Sequence, residues 1–169
     1  MNDPIAYFLT ITTYGTWLPG DERGWTEYHR GWQLPDVDKE IQAAQSMTSN
    51  PCVLTQKQRI AVEEQVMETC VHRHWALHAL ACRTNHLHVV ISAENTSPRK
   101  IRSDLKAWCT RKLRQEFDSH RSEWWTERGS VRWIFDDDSL DRAIYYVNEA
   151  QDRKHLDFST TRHPSPKRK

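Results

Sequence analysis

The period of apolar positions changes several times along the chain, and each change marks an element. Residues 6–15, "AYFLTITTYG", are β-branched and aromatic and closed by Gly15, which predicts a strand. From "TWLPGDERGW" to about Cys52 the pattern dissolves into Gly, Pro, Asp and Trp, with room for a short helix in "DVDKEIQAAQ" at 36–45. A connection this long is uncommon unless it is functional or packed by its own side chains. Residues 54–74 then show helical spacing: Thr55 can cap, and Ile60, Val62, Val66, Met67, Cys70 and Val71 supply the apolar side.

Two apolar runs follow in "WALHALACRTNHLHVVIS", and the intervening "RTN" suits a hairpin turn. Residues 97–117 open with Ser97 and Pro98, a cap with proline in the first turn. Ile101, Leu105, Trp108, Cys109, Leu113 and Phe117 recur there at helical spacing. "SVRWIFD" (130–136) predicts a strand, and 138–152 a helix capped by Asp138 or Ser139. The order strand, helix, hairpin, helix, strand, helix predicts an α+β fold. It is the ferredoxin-like split βαβ, βαββαβ with an antiparallel sheet, plus an extra C-terminal helix that carries Tyr145 and Tyr146. One domain is expected over 1–157, followed by a basic, flexible tail over 158–169.

Composition narrows the class. With 37% apolar and 28% charged residues, the chain has enough core for a globular domain and too much apolar content for disorder. No apolar run approaches the roughly 18–20 residues of a membrane span, so neither a membrane span nor a secretory leader is expected. Cys52, Cys70, Cys82 and Cys109 lack CxxC spacing, so reduced thiols and a cytoplasmic location are expected. The formal net charge of +1 announces no nucleic-acid partner, but its distribution is uneven. Between Pro98 and Gln115 seven Lys and Arg residues face a single acid, Asp104, and "TRHPSPKRK" ends the chain without any acid. Such a face is either simply solvated or a phosphate track. Trp17, Trp25 and Trp32, in the long early connection, either pack that loop or stack on bases.

"RTNHLHVVIS" at 83–92 carries the candidate chemistry. Strand residues i and i+2 share a face, with Cα atoms roughly 6.5 Å apart, so His86 and His88 can reach one ion between them. The plain alternative is two half-exposed histidines that follow a turn. If the hairpin turns over Arg83–Asn85, His78 and Cys82 fall on the same face as the pair. Tyr145 and Tyr146 sit about 100° apart on their helix, so one can face a site while the other packs. Burial pattern alone does not choose between them.

"NHLHVV" after an apolar strand resembles the histidine–hydrophobic–histidine (HUH) motif of single-tyrosine transposases. The opening "FLTITTYGTWLPGD" and the ending "SVRWIF…AIYYVNEAQ" are similar to the REP-associated tyrosine transposases and their insertion-sequence relatives. The similarity runs in order over nearly the whole chain. It implies a metal-dependent endonuclease and strand transferase for single-stranded DNA, acting beside short hairpins such as repeat palindromes. The implied cofactor is Mg²⁺ or Mn²⁺, and cleavage would proceed through a 5′-phosphotyrosine, leaving a free 3′-hydroxyl. By position, His86 and His88 match the metal-binding histidines and Tyr146 the nucleophile. Gln151 is the implied third ligand, with Glu149 as its rival, because the amide that relatives carry four residues after the tyrosine is Ala150 here. Arg83, Arg99, Lys100 and Arg102 are candidate DNA contacts, the last three expected near the metal end because "PRKIR" follows the HUH strand. The resemblance also implies a monomer or homodimer. Two other functions fit the residues: a domesticated hairpin-binding protein that does not cut, and a metal-dependent hydrolase that uses water and no tyrosine.

Overall fold

The computed structural model describes residues 3–127 and 129–150. In chain order its elements are β1 (Ala6–Thr12), β2 (Trp25–Glu27), β3 (Gly31–Gln33), α1 (Val37–Gln45), α2 (Gln56–Arg73), β4 (Ala76–Cys82), β5 (His86–Ser92), α3 (Pro98–Glu116), β6 (Ser130–Ile134) and α4 (Asp137–Tyr145). The chain leaves α4 in a π-helical turn, Tyr146–Ala150. The main sheet has the order β4-β5-β1-β6, with every neighbour antiparallel. That is the split-βαβ arrangement, with α2 and α3 as its two crossovers and α4 as the added helix. Gln151 and the tail over 158–169 lie outside the described residues, as does Arg128.

Strand alternation divides the core. Tyr7, Leu9 and Ile11 of β1 and Leu87, Val89 and Ile91 of β5 point to one face, where the stripes Val62–Val66–Cys70 of α2 and Ile101–Leu105–Cys109–Leu113 of α3 cover them. Trp108 and Phe117 keep the helical spacing but stay partly exposed. On the other face Ala6, Val90, Ala79 and Ile134 pack against Ala143 and Val147 from the end of the chain. This second layer is smaller.

Local signals fix the helix ends. Thr55 and Gln58 form a capping box at the start of α2, and His74 ends that helix in the left-handed region. Ser97 accepts from the Lys100 N–H, with Pro98 in the first turn of α3. For α4 the cap is Asp136, not Asp138 or Ser139: its carboxylate accepts from the Ser139 N–H at 2.7 Å, so the helix begins one residue before the expected start. The long connection folds into α1 and a small β2–β3 hairpin. Trp25 is buried there, whereas Trp17 and Trp32 remain exposed.

The hairpin corrects the expected placement of two residues. Cys82 pairs with Leu87, not with His86, and the Arg83 N–H donates to the His86 carbonyl at 2.8 Å. A one-residue change of register reverses the facing of a side chain, so Cys82 is buried in the larger core, away from the histidines. His78 sits at an irregularity between Leu77 and Ala79, and its Nε2 bonds the Ser92 hydroxyl at 2.7 Å. That contact is at the far end of β5 from His86. All four cysteines are free and buried. No helix among the described residues is long and apolar enough to cross a membrane.

Candidate active site

The second face is also where the chemistry-bearing residues meet. His86 pairs across the sheet with Thr12, and His88 with Thr10. Directly opposite residues in an antiparallel pair share a face, so Thr10, Thr12, His86 and His88 form one patch. The two imidazoles stand 4.6 Å apart between centroids, at 64°. Leu87 and Val89 point the other way, into the larger core, as alternation requires.

Each ring is held through Nδ1. The His86 Nδ1 lies 2.7 Å from the Asn85 side-chain oxygen, and the His88 Nδ1 lies 2.9 Å from the Thr10 hydroxyl. His88 is only 7% exposed. Burial first, then the charges of His86 and Arg83, push its pKa down to about 3, so the ring is neutral at neutral pH. A neutral His88 beside a second imidazole, each ring oriented through its Nδ1, offers the kind of donors a divalent cation takes. The residues present therefore fit an ion as two of its ligands. Among the described residues no group of three His, Cys, Asp or Glu side chains gathers around a metal position. Glu149 is exposed.

The two tyrosines are separated by their surroundings. The Tyr146 ring packs at 5.9 Å from His88 and 5.9 Å from Phe8, while Tyr145 is 48% exposed. Phe8 also stacks 5.2 Å from His88, so it forms the floor between tyrosine and imidazole. Val147, buried against Ile134 and Val90, fixes the rotation of the helix end. Tyr146 stands where the helix changes from α to π, a distortion found mostly as single turns and often at functional sites.

The basic candidates are dispersed. Arg83 lies in the hairpin turn, close enough for its charge to act on His88. Arg99 and Lys100 open α3 at the Ser92 end of β5, six residues and roughly 20 Å along the strand from His86. Lys100 and Arg73 both pair with Asp104 there, Arg73 at 3.1 Å. Arg102, one turn on, donates to the Gly129 carbonyl at 2.9 Å. Arg99 and Lys100 do not begin near the histidines, because β5 carries the chain away from them before α3 starts, whereas Arg102 reaches back to Gly129, beside Thr10, the residue paired with His88. Three residues that sequence reasoning passed over belong to the site or its rim. Thr10 and Asn85 anchor the rings. Arg132, exposed on edge strand β6, pairs with Phe8 and so faces the same side. Only strand pairing reveals Thr10 and Arg132, whereas Asn85 stands beside His86 in the sequence.

Comparison with known proteins places these features in a family. The model of the family described as IS200-like transposase matches residues 47–153. Among solved structures, a REP-associated tyrosine transposase bound to a REP hairpin superposes with TM-score 0.53 at 9% identity, covering 97% of this chain and 84% of that one. A presumed transposase from Deinococcus radiodurans superposes with TM-score 0.51 at 11% identity, covering 96% of this chain and 93% of that one. No curated protein matches the chain.

Proposed function

Because the chain belongs to the IS200-like transposase family, we propose that it is a metal-dependent enzyme that nicks and rejoins single-stranded DNA beside hairpins. Tyr146 is the nucleophile. The observation that carries this reading is the Tyr146 ring set edge-on to His88, centroids 5.9 Å apart, on the face that holds the histidine pair. A tyrosine-independent hydrolase would require no such seating.

His86 and His88 would hold a Mg²⁺ or Mn²⁺ ion, which when bound polarises the scissile phosphate and offsets charge on its oxygens. Gln151 is the further ligand that the family resemblance implies, with Glu149, three residues after Tyr146, as its rival. Tyr146 loses its phenolic proton and attacks phosphorus; a new P–O bond forms and the bond to the 3′-oxygen breaks. The products are a 5′-phosphotyrosine and a free 3′-hydroxyl. Phenolate is a competent leaving group, so the reverse attack by a 3′-hydroxyl reseals DNA without an external energy source.

Arg83 lies nearest the histidines and is the first candidate for a phosphate contact; Arg132 approaches the same face from β6. Arg99, Lys100 and Arg102 would contact DNA farther along its path, and the basic tail over 158–169 would extend that path beyond a domain of 1–157. The enzyme would work in the cytoplasm as a monomer or homodimer, on DNA that folds as a repeat palindrome.

The test is incubation with labelled single-stranded DNA carrying a hairpin, with and without Mn²⁺, followed by denaturing electrophoresis. A protein–DNA adduct that needs Mn²⁺ and Tyr146 supports the reading. Cutting without an adduct returns the hydrolase, and binding without cutting returns the domesticated hairpin binder.

A further inference from the structure

We propose that Thr10 and Asn85 are positioning residues that set the tautomers of the histidine pair, so that both rings present Nε2 to one cation. The inference rests on the reading of His86 and His88 as metal ligands. Asn85 immediately precedes His86, and its side-chain oxygen lies 2.7 Å from the His86 Nδ1. An amide oxygen only accepts, so Nδ1 carries the proton and the ring's lone pair falls on Nε2. Thr10 is 78 residues from His88 in sequence, yet strand pairing sets it directly across, with its hydroxyl 2.9 Å from the His88 Nδ1. That hydroxyl accepts from Nδ1–H in the ligand tautomer. With each Nδ1 committed to a protein oxygen, coordination falls to Nε2 on both rings, whose centroids are 4.6 Å apart.

The two anchors come from different elements, one from the hairpin turn and one from β1. Outer partners of this kind change metal affinity about ten- to hundred-fold when removed.

The experiment uses the full chain stripped of metal by chelation. Long-range ¹H–¹⁵N correlation reads the imidazole tautomers, and calorimetry reads Mn²⁺ affinity. Parent protein should show Nδ1–H at both histidines. Thr10→Val keeps the shape of the side chain without its oxygen; it should populate Nε2–H at His88 and weaken Mn²⁺ about ten- to hundred-fold. Thr10→Ser restores the oxygen and should bind within about two-fold of the parent, and Asn85→Ala should act on His86 as Thr10→Val acts on His88. If Thr10→Val does not fold, Thr10→Ala and Asn85→Ala carry the comparison. Nε2–H at His88 in the parent, or unchanged Mn²⁺ affinity in Thr10→Val, overturns the proposal. Absence of Mn²⁺ binding in the parent overturns the metal reading and this inference together. Parent binding that is lost in His88→Ala but kept in Thr10→Val overturns this inference alone.

Discussion

Holding His88 neutral makes the fold sensitive to acid, and the size of the effect follows from its environment. The ring is 7% exposed, and its pKa in the fold is about 3 against 6.5 for an unperturbed imidazole. Burial is the main cause; His86 on the same strand and Arg83 in the turn add positive charge, while Thr10, Phe8 and Tyr146 contribute none. A base whose pKa is depressed on folding takes up its proton more readily in the unfolded chain. Stability is therefore full above pH 6.5 and falls as pH drops from there toward 3. At pH 5 the loss is about 2 kcal/mol, from the 1.5 units between that pH and the unfolded value at about 1.4 kcal/mol per unit. Urea unfolding of the metal-free protein, followed by tryptophan fluorescence at pH 7 and pH 5, reads it directly. With a slope of about 2 kcal/mol per molar, the midpoint should fall by roughly 1 M more in the parent than in His88→Gln. The comparison is between pH responses, so any constant cost of the substitution cancels. Equal responses in the two proteins would mean that His88 is not the buried neutral ring described here.

Three further outcomes follow from the geometry. Tyr146→Phe should abolish the DNA adduct while leaving the urea midpoint and hairpin binding near those of the parent, and Tyr145→Phe should stay active; the opposite pattern in denaturing gels would reassign the nucleophile. Arg83→Ala should flatten the log–log salt dependence of single-strand binding by about 0.7, one phosphate contact, whereas Arg99, Lys100 and Arg102 replaced together should also flatten it by only about 0.7, because Lys100 already pairs with Asp104 and Arg102 with the Gly129 carbonyl. A decrease near 2 for the triple variant would show that these pairs break on DNA. Leu105→Ala, at a position with no exposure in the α3 stripe, should cost about 2–5 kcal/mol in urea unfolding; a loss under 1 kcal/mol would mean that the helix layer is loosely packed.

What the sequence revealed and what it hid differ in range of interaction. The alternation in "AYFLTIT", the helical stripe from Ile101 to Leu113 and the caps at Thr55 and Ser97 are local, and each element formed where its own residues predict it. β2 and β3 have three residues each, too few for a period to register, and their pairing depends on Gly31 and on His29 in the left-handed region. The facing of Cys82 turned on a single residue of hairpin register, which "RTN" does not specify. HUH spacing placed His86 and His88 on one face from two-residue alternation alone, yet their orientation needed Thr10, which only the β1–β5 pairing brings near. Arg132 was hidden for the same reason: an arginine on a short strand has no assigned side until its partner, Phe8, is known. Between Tyr145 and Tyr146 the family resemblance already pointed to Tyr146, and what the structure adds is that the Tyr146 ring packs against His88 and Phe8 while Tyr145 is 48% exposed. The identities of reacting groups are thus written locally, while the hydrogen bonds and charges that tune them come from strands distant in sequence. Variants at Thr10, Asn85 and Arg132 therefore test the site more sharply than further substitution of the motif itself.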